Sequence, residues 1–216
     1  MSTPPVTTAA LSYMAGFAEP DDTASAVGRD EPEVRRLVEA ARAGSREAFG
    51  DLVALHQRVV FRTALAALGS REDAEDAAQD AFVMAWRKLT GFRGDAMFRT
   101  WLLTIVWRKA LDKRRARGVW WSRTQSAGWQ EDDAASLERI ATDDASPEAL
   151  AVASNLAGRV RDEIAQLSPK LRDALVLAAT GEHSYEEIGR MLGIPLGTVK
   201  WRVSEARRVL RTKVER

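Results

Sequence analysis

The sequence predicts an all-α protein of two small helical units joined by an acidic linker, and three observations predict it. Apolar residues recur at three- and four-residue intervals, the stripes start after Ser and stop at Gly, and no segment alternates apolar with polar residues. The first stripe, Val34, Leu37, Val38 and Ala41, ends at Gly44. Ser45 then stands where its hydroxyl can accept from a free helix amide. A second stripe follows through Phe49, Leu52, Val53, His56, Val59, Val60 and Ala64, stopping near Gly69. His56, lying in that stripe, reads as a packed, hydrogen-bonded histidine rather than a catalytic one. Ser70 opens a third helix with Ala74, Ala78, Ala81, Phe82, Ala85, Trp86 and Leu89 inward, and Asp73, Asp76, Gln79 and Asp80 on its other face. After the loop GFRGDAM, the fourth helix is apolar through Phe98, Leu102, Ile105 and Val106, then cationic through RKALDKRRAR at 108–117.

The helical pattern resumes at Val160, Ile164 and Leu167. Ser168-Pro169 reads as a cap followed by proline at the first helical position, ahead of Leu171, Leu175, Val176 and Ala179 and a stop at Gly181. Ser184 and Glu187 form a capping box for the short helix YEEIGRML, which ends at Gly193. Ile194-Pro195 turns into a final helix rich in Arg and Lys. Residues 1–30, biased to Thr, Ser, Ala, Pro and Asp, read as a mobile tail. Residues 118–158 lack a sustained stripe and hold Trp120, Trp121, Trp129 and the acidic run 131–148, so they read as a linker with one short helix near 134–140. The units therefore span 31–117 and 159–216.

Composition excludes much. With no cysteine there is no disulfide scaffold, thiol catalysis or cysteine zinc site, and two histidines do not make a metal centre. No apolar run approaches the ~18–20 residues of a membrane helix, and the N-terminus lacks the cationic start of a secretory signal. The expectation is a cytoplasmic, non-catalytic protein without cofactor or membrane insertion. Net charge is +1, yet basic residues concentrate at 108–117 and 200–216, as local polyanion contacts require.

Three constellations carry the chemistry. Ser184–Arg211 has the logic of a helix-turn-helix: Ile188, Leu192, Val199, Val203 and Ala206 face inward, and Gly193 serves the turn. Thr198, Lys200, Trp201, Ser204 and Glu205 lie outward near the start of the second helix, where side chains reach base edges in a major groove. Arg207, Arg208 and Arg211 suit phosphates. The bland alternative is a two-helix corner with a basic solvent face. In the second constellation, Phe92 and Arg93 precede an aromatic helix that turns basic, a combination suited to stacking unpaired bases while cations hold the backbone. Trp101 suits the core better than a base platform, and Trp107, beside Arg108 and Lys109, suits either. In the third, Asp76, Gln79 and Asp80 share one helix side at one-turn spacing, a solvated face or a protein-docking one; no EF-hand spacing is present.

Together these segments resemble a bacterial RNA polymerase sigma factor of the extracytoplasmic-function type, over about 33–117 and 159–214. DAEDAAQDAFVMAWRKL resembles the segment that docks on the beta-prime clamp helices, FRGDAMFRTWLLTI the segment that melts and captures the −10 element, and LSPKLRDALVL with SYEEIGRMLGIPLGTVKWRVSEARRVL the domain that reads the −35 element. The resemblance implies that Asp76, Gln79 and Asp80 contact the clamp. It implies that Phe92, Arg93 and Phe98 handle the extruded −10 base, and that Arg108, Lys109, Lys113 and Arg114 lie along −10 DNA with Asp112 orienting them or adding selectivity. Thr198, Lys200, Trp201, Ser204, Glu205, Arg207 and Arg208 would face −35 DNA. Core RNA polymerase (beta-prime clamp and beta flap), promoter DNA and an anti-sigma factor are the implied partners. Arg108 stands where the family often has Asn, and Trp201 where it commonly has Ser; the family's −10 preference does not carry over through Arg108, nor its −35 preference through Trp201. Two competing readings are a stand-alone helix-turn-helix regulator, which leaves the loop and basic helix without a role, and a small DNA-modifying enzyme, which lacks a nucleophile or metal constellation.

Overall fold

The computed structural model describes residues 32–116, 158–160 and 162–214. The tail 1–30, nearly all of the linker with its tryptophans, and the short helix expected near 134–140 lie outside the described residues. Among the described residues, regular structure is entirely helical. The first unit comprises α1 (Pro32–Arg42), α2 (Arg46–Leu68), α3 (Arg71–Lys88), a 3-10 turn at Leu89–Gly91 and α4 (Phe98–Ala116). The second comprises α5 (Pro169–Ala179), α6 (Tyr185–Leu192) and α7 (Leu196–Val214).

Local chemistry sets the boundaries. Ser45 accepts from the Ala48 amide at 3.2 Å and Ser70 from the Asp73 amide at 3.4 Å, each satisfying a donor that the first turn leaves open. Gly69 ends α2 at φ +66°, a conformation that costs a side-chain-bearing residue about 1 kcal/mol. Ser168 departs from expectation: its side chain makes no cap hydrogen bond, and Pro169, which lacks an amide needing a partner, begins α5 instead.

Small residues let α3 lie close to its neighbours. Ala74, Ala77, Ala78, Ala81 and Ala85 are all buried where α3 packs on α2 and α4. Leu52, Val60, Leu102, Leu103 and Val106 are fully enclosed, each contributing roughly 1.5–3 kcal/mol by burial. Trp107 is 1% exposed and is core, which settles its two sequence readings; Trp101 is half-buried against the same cluster. Asp73 also differs from expectation. It is buried rather than outward, because Lys113 of α4 reaches over α3 and pairs with its carboxylate at 3.3 Å.

The units are contiguous, and their buried apolar residues form one cluster. The α4 helix lies against α6, and α2 lies against α5. This contact widens the buried arc of α5. Ala174, Leu177 and Ala178 join Leu175 inside, Val176 and Ala179 stay partly exposed, and Arg172 is buried as well. Burial and the neighbouring Arg114 push the Arg172 guanidinium below its ordinary pKa, opposed by Asp173.

Candidate nucleic-acid and protein interfaces

The α6–turn–α7 corner is built as its sequence pattern requires. Ser184 accepts from the Glu187 amide at 3.2 Å while the Glu187 carboxylate accepts from the Ser184 amide at 3.3 Å, completing the capping box. Gly193 closes α6 at φ +67°. The decisive glycine, however, is Gly189. A Cβ there would stand 2.8 Å from the Ile194 carbonyl oxygen, and the Ile194 amide donates to the Gly189 carbonyl at 2.9 Å. Backbone thus touches backbone at the crossing, which fixes how α7 projects. Val199, Val203 and Ala206 are buried beneath it. On the opposite side Lys200, Trp201, Ser204 and Arg208 are exposed, with Thr198, Glu205 and Arg207 half-buried. Trp201 is 61% exposed, an apolar ring presented to solvent amid polar groups. Arg208 clasps Glu205 through two hydrogen bonds of 2.8 Å. That fork holds the Glu205 carboxyl below its usual range and raises Arg208.

The segment 92–116 is less open than its sequence suggests. Phe92 and Phe98 are 6% and 1% exposed, so in this conformation neither is a free base platform. Their rings pack with each other at 5.9 Å, each against Trp101, and Phe98 against His56 at 5.5 Å. Arg93 and Arg108 are exposed as expected. Lys109 approaches Asp80 at 3.9 Å, Lys113 bridges Asp73 and Asp76, and Arg114 pairs with Asp173 of the second unit at 3.0 Å. Asp112 pairs with Arg115, its i,i+3 neighbour, at 3.1 Å.

The third surface is the acidic side of α3. Asp76, Gln79 and Asp80 are all exposed, continued one turn on by exposed Val83. The α3 residues Ala77 and Ala81 on the far side are buried, so this face is free of packing duties.

A fourth cluster had no counterpart in the sequence reading. Arg99 donates to the Glu187 carboxylate and to the Glu182 carbonyl, and Thr100 donates to Glu187 Oε1 at 3.1 Å. Arg62 pairs with Glu182 at 2.7 Å. Thr63 gives its hydroxyl proton to the Val59 carbonyl at 2.7 Å, so at 3.1 Å it must accept from His183 Nε2. Nε2 therefore carries the proton, and Nδ1 is bare, buried and unpartnered among the described residues. His56 packs as expected but without the expected hydrogen bond: its Nε2 also lacks a partner there. A sequence clue existed for this cluster, since Thr63 falls on the apolar spacing of Val59 and Val60.

Both histidines are pushed down to about 4, by burial first and by the Arg99 charge second, with Glu187 partly offsetting this at His183. In the unfolded chain each binds its proton near pH 6.5. Stability from the neutral rings is therefore complete above 6.5 and is lost as pH falls toward 4, by up to about 1.4 kcal/mol per pH unit per histidine. Urea unfolding should show a lower midpoint at pH 5 than at pH 7.5, with a flatter profile for the double variant His56→Gln/His183→Gln. An unchanged wild-type midpoint would contradict neutral burial of the pair.

Comparison with known proteins agrees with this geometry. The sequence model of Sigma-70 region 2 matches residues 52–119, and that of Sigma-70 region 4 matches residues 157–210. The chain is 34% identical to the ECF RNA polymerase sigma-E factor of Escherichia coli K12, across 83% of this chain and 93% of that protein. It is 33% identical to the RNA polymerase sigma-H factor of Pseudomonas aeruginosa, across 82% of this chain and 91% of that one. With the Bacillus subtilis sigma factor SigW the identity is 29%, across 84% and 96%. Among solved structures, CnrH bound to the cytosolic domain of CnrY aligns at TM-score 0.56 and 29% identity over 85% of this chain and 97% of that one. No described helix is long and apolar enough to cross a membrane. With both regions present in order, and with relatives matched over nearly their whole length, the chain belongs to the extracytoplasmic-function RNA polymerase sigma factors.

Proposed function

We propose that the three exposed surfaces divide the labour of a promoter-specificity factor. As a sigma factor, the chain binds core RNA polymerase, recognises the −35 and −10 promoter elements and helps initiate transcription. Sigma factors are initiation factors and leave phosphodiester chemistry to the polymerase; this chain carries no catalysis of its own and works in the cytoplasm. Residues 31–117 form the docking and −10 unit, 159–216 the −35 unit, and 118–158 the connector. Asp76, Gln79 and Asp80 dock on the beta-prime clamp, and the −35 unit meets the beta flap. Lys200, Trp201 and Ser204 enter the −35 groove with Thr198 and Glu205 beside them, Trp201 offering its ring to a thymine methyl. Arg207 and Arg208 hold phosphates. Arg93, Arg108, Lys109, Lys113 and Arg114 follow −10 DNA, and Phe92 and Phe98 border the captured base.

A solved structure of similar fold, the sigma factor RpoE from Bartonella quintana in complex with the anti-sigma factor NepR, is consistent with an anti-sigma partner for this chain. The observation that carries the reading is the presence, on one chain, of an exposed acidic helix face, a cationic helix and an exposed recognition helix. A stand-alone regulator uses only the last. The test is in vitro transcription by purified core polymerase across a promoter library. Transcripts that depend on this chain and share two upstream elements are the expected result; a chain that retards DNA yet never redirects polymerase would overturn the proposal.

A further inference from the structure

The recognition helix carries a carboxylate where it must meet a polyanion. Glu205 lies on the outward side of α7, one turn beyond Trp201 and next to Ser204. Resting on the −35 reading above, it enters a groove lined on both edges by phosphates, which repel a bare negative charge. Arg208 answers that repulsion. Its Nε donates to Glu205 Oε2 and its Nη2 to Oε1, both at 2.8 Å, so one fork neutralises the carboxylate and fixes its plane. The same fork lowers the Glu205 pKa, which keeps the group ionised, and so purely an acceptor, at neutral pH. As an exposed i,i+3 pair it adds little to helix stability. Its consequence lies in what the surface presents.

Two carboxylate oxygens offer about four lone-pair sites, and the fork takes one on each oxygen. What is left suits one base. In the major groove guanine shows two acceptors, thymine an acceptor and a methyl, and adenine a donor beside an acceptor. Each sets an acceptor or an apolar group against the carboxylate. Cytosine alone shows a donor, its N4 amino group, with no acceptor on the same base beside it.

We propose that Glu205, held by Arg208, selects a cytosine in the −35 element. Glu205 is the group that reads the base. Arg208 is a positioning residue, and its Nη1, outside the fork, remains for a phosphate. Both side chains are solvent-accessible, at 28% and 68%, so either can be replaced without opening the core.

The test is in vitro transcription by core polymerase with the full chain, on a library randomised through both promoter elements and barcoded in the transcribed part. Wild type should favour cytosine over every other base at one −35 position by at least about fivefold. Glu205→Ala should level that position and leave the preferences elsewhere as they were. Arg208→Lys keeps a cation for phosphate but loses the fork, and should lower the cytosine bias at least about twofold. A phosphate anchor alone weakens all sequences uniformly, and that result for Arg208→Lys would overturn its positioning role. A cytosine bias that survives Glu205→Ala, or that wild type lacks, would overturn the proposal whole. Selection of randomised duplexes by gel retardation with the full chain separates this from the wider reading. If no transcript depends on the chain, yet wild type enriches a cytosine that Glu205→Ala does not, promoter specificity fails and the base reading stands. Enrichment indifferent to Glu205 overturns the base reading.

Discussion

Replacing Asp76 and Asp80 together by lysine is expected to lower affinity for core RNA polymerase by at least about 100-fold, with far-UV circular dichroism unchanged. The separation of the two effects comes from exposure. Both carboxylates are largely in solvent, at 65% and 70%, so neither substitution opens a cavity. The pair that Asp76 makes with Lys113 is worth under about 1 kcal/mol at such a site. Across a docked interface the same two reversals replace attraction by like-charge juxtaposition, which costs several kcal/mol. Titration of labelled polymerase with each protein measures the difference. Unaltered affinity would remove this face from the docking surface. Glu39→Lys, an exposed reversal on α1, serves as the control for bulk charge.

Gly189→Ala is expected to be the most damaging single methyl in the −35 unit, costing about 1–3 kcal/mol of stability and most of the −35 DNA affinity. The new Cβ would meet a backbone oxygen at 2.8 Å, so relief requires the turn itself to move and α7 to swing with it. Gly193→Ala makes the instructive comparison. That residue has φ +67° but nothing within 4 Å of its added methyl, so only the backbone penalty of about 1 kcal/mol applies. Thermal melts should rank the variants wild type, Gly193→Ala, Gly189→Ala, and an electrophoretic shift on a −35 duplex should separate the last two further. Equal loss from both would mean the crossing is not set by this contact.

These two glycines show where sequence reasoning succeeds and where it stops. Gly193 was legible because it ends a periodic stripe beside a proline turn, a purely local signal. Gly189 sits mid-helix, and only the approach of Ile194 from the turn reveals its role. The same division runs through the fold. The caps at Ser45, Ser70 and Ser184 and the inner stripe Val199, Val203 and Ala206 follow from residues three or four positions apart. Asp73, Arg172 and His183 are buried by chain far away in sequence, and composition carries no trace of that. At the candidate sites, outwardness was legible for Asp76, Asp80, Lys200 and Trp201, because each stands opposite a stripe. Phe92 was harder: an aromatic residue next to Arg suggests stacking on bases, and nothing local announces that Phe98 and Trp101 pack against its ring.

Lys113 has a thermodynamic corollary. One ammonium group is shared between Asp73, inside the bundle, and Asp76, on the rim, so the acidic and cationic helices draw on a common charge. A cationic partner that engages Asp76 loosens the hold on that ammonium, and a polyanion that recruits the ammonium leaves the rim carboxylate more negative. Reciprocity makes these one coupling free energy viewed from two sides. Salt titrations of either surface should therefore shift in slope when the other is occupied, and affinities measured separately will not sum to the affinity of the assembled complex.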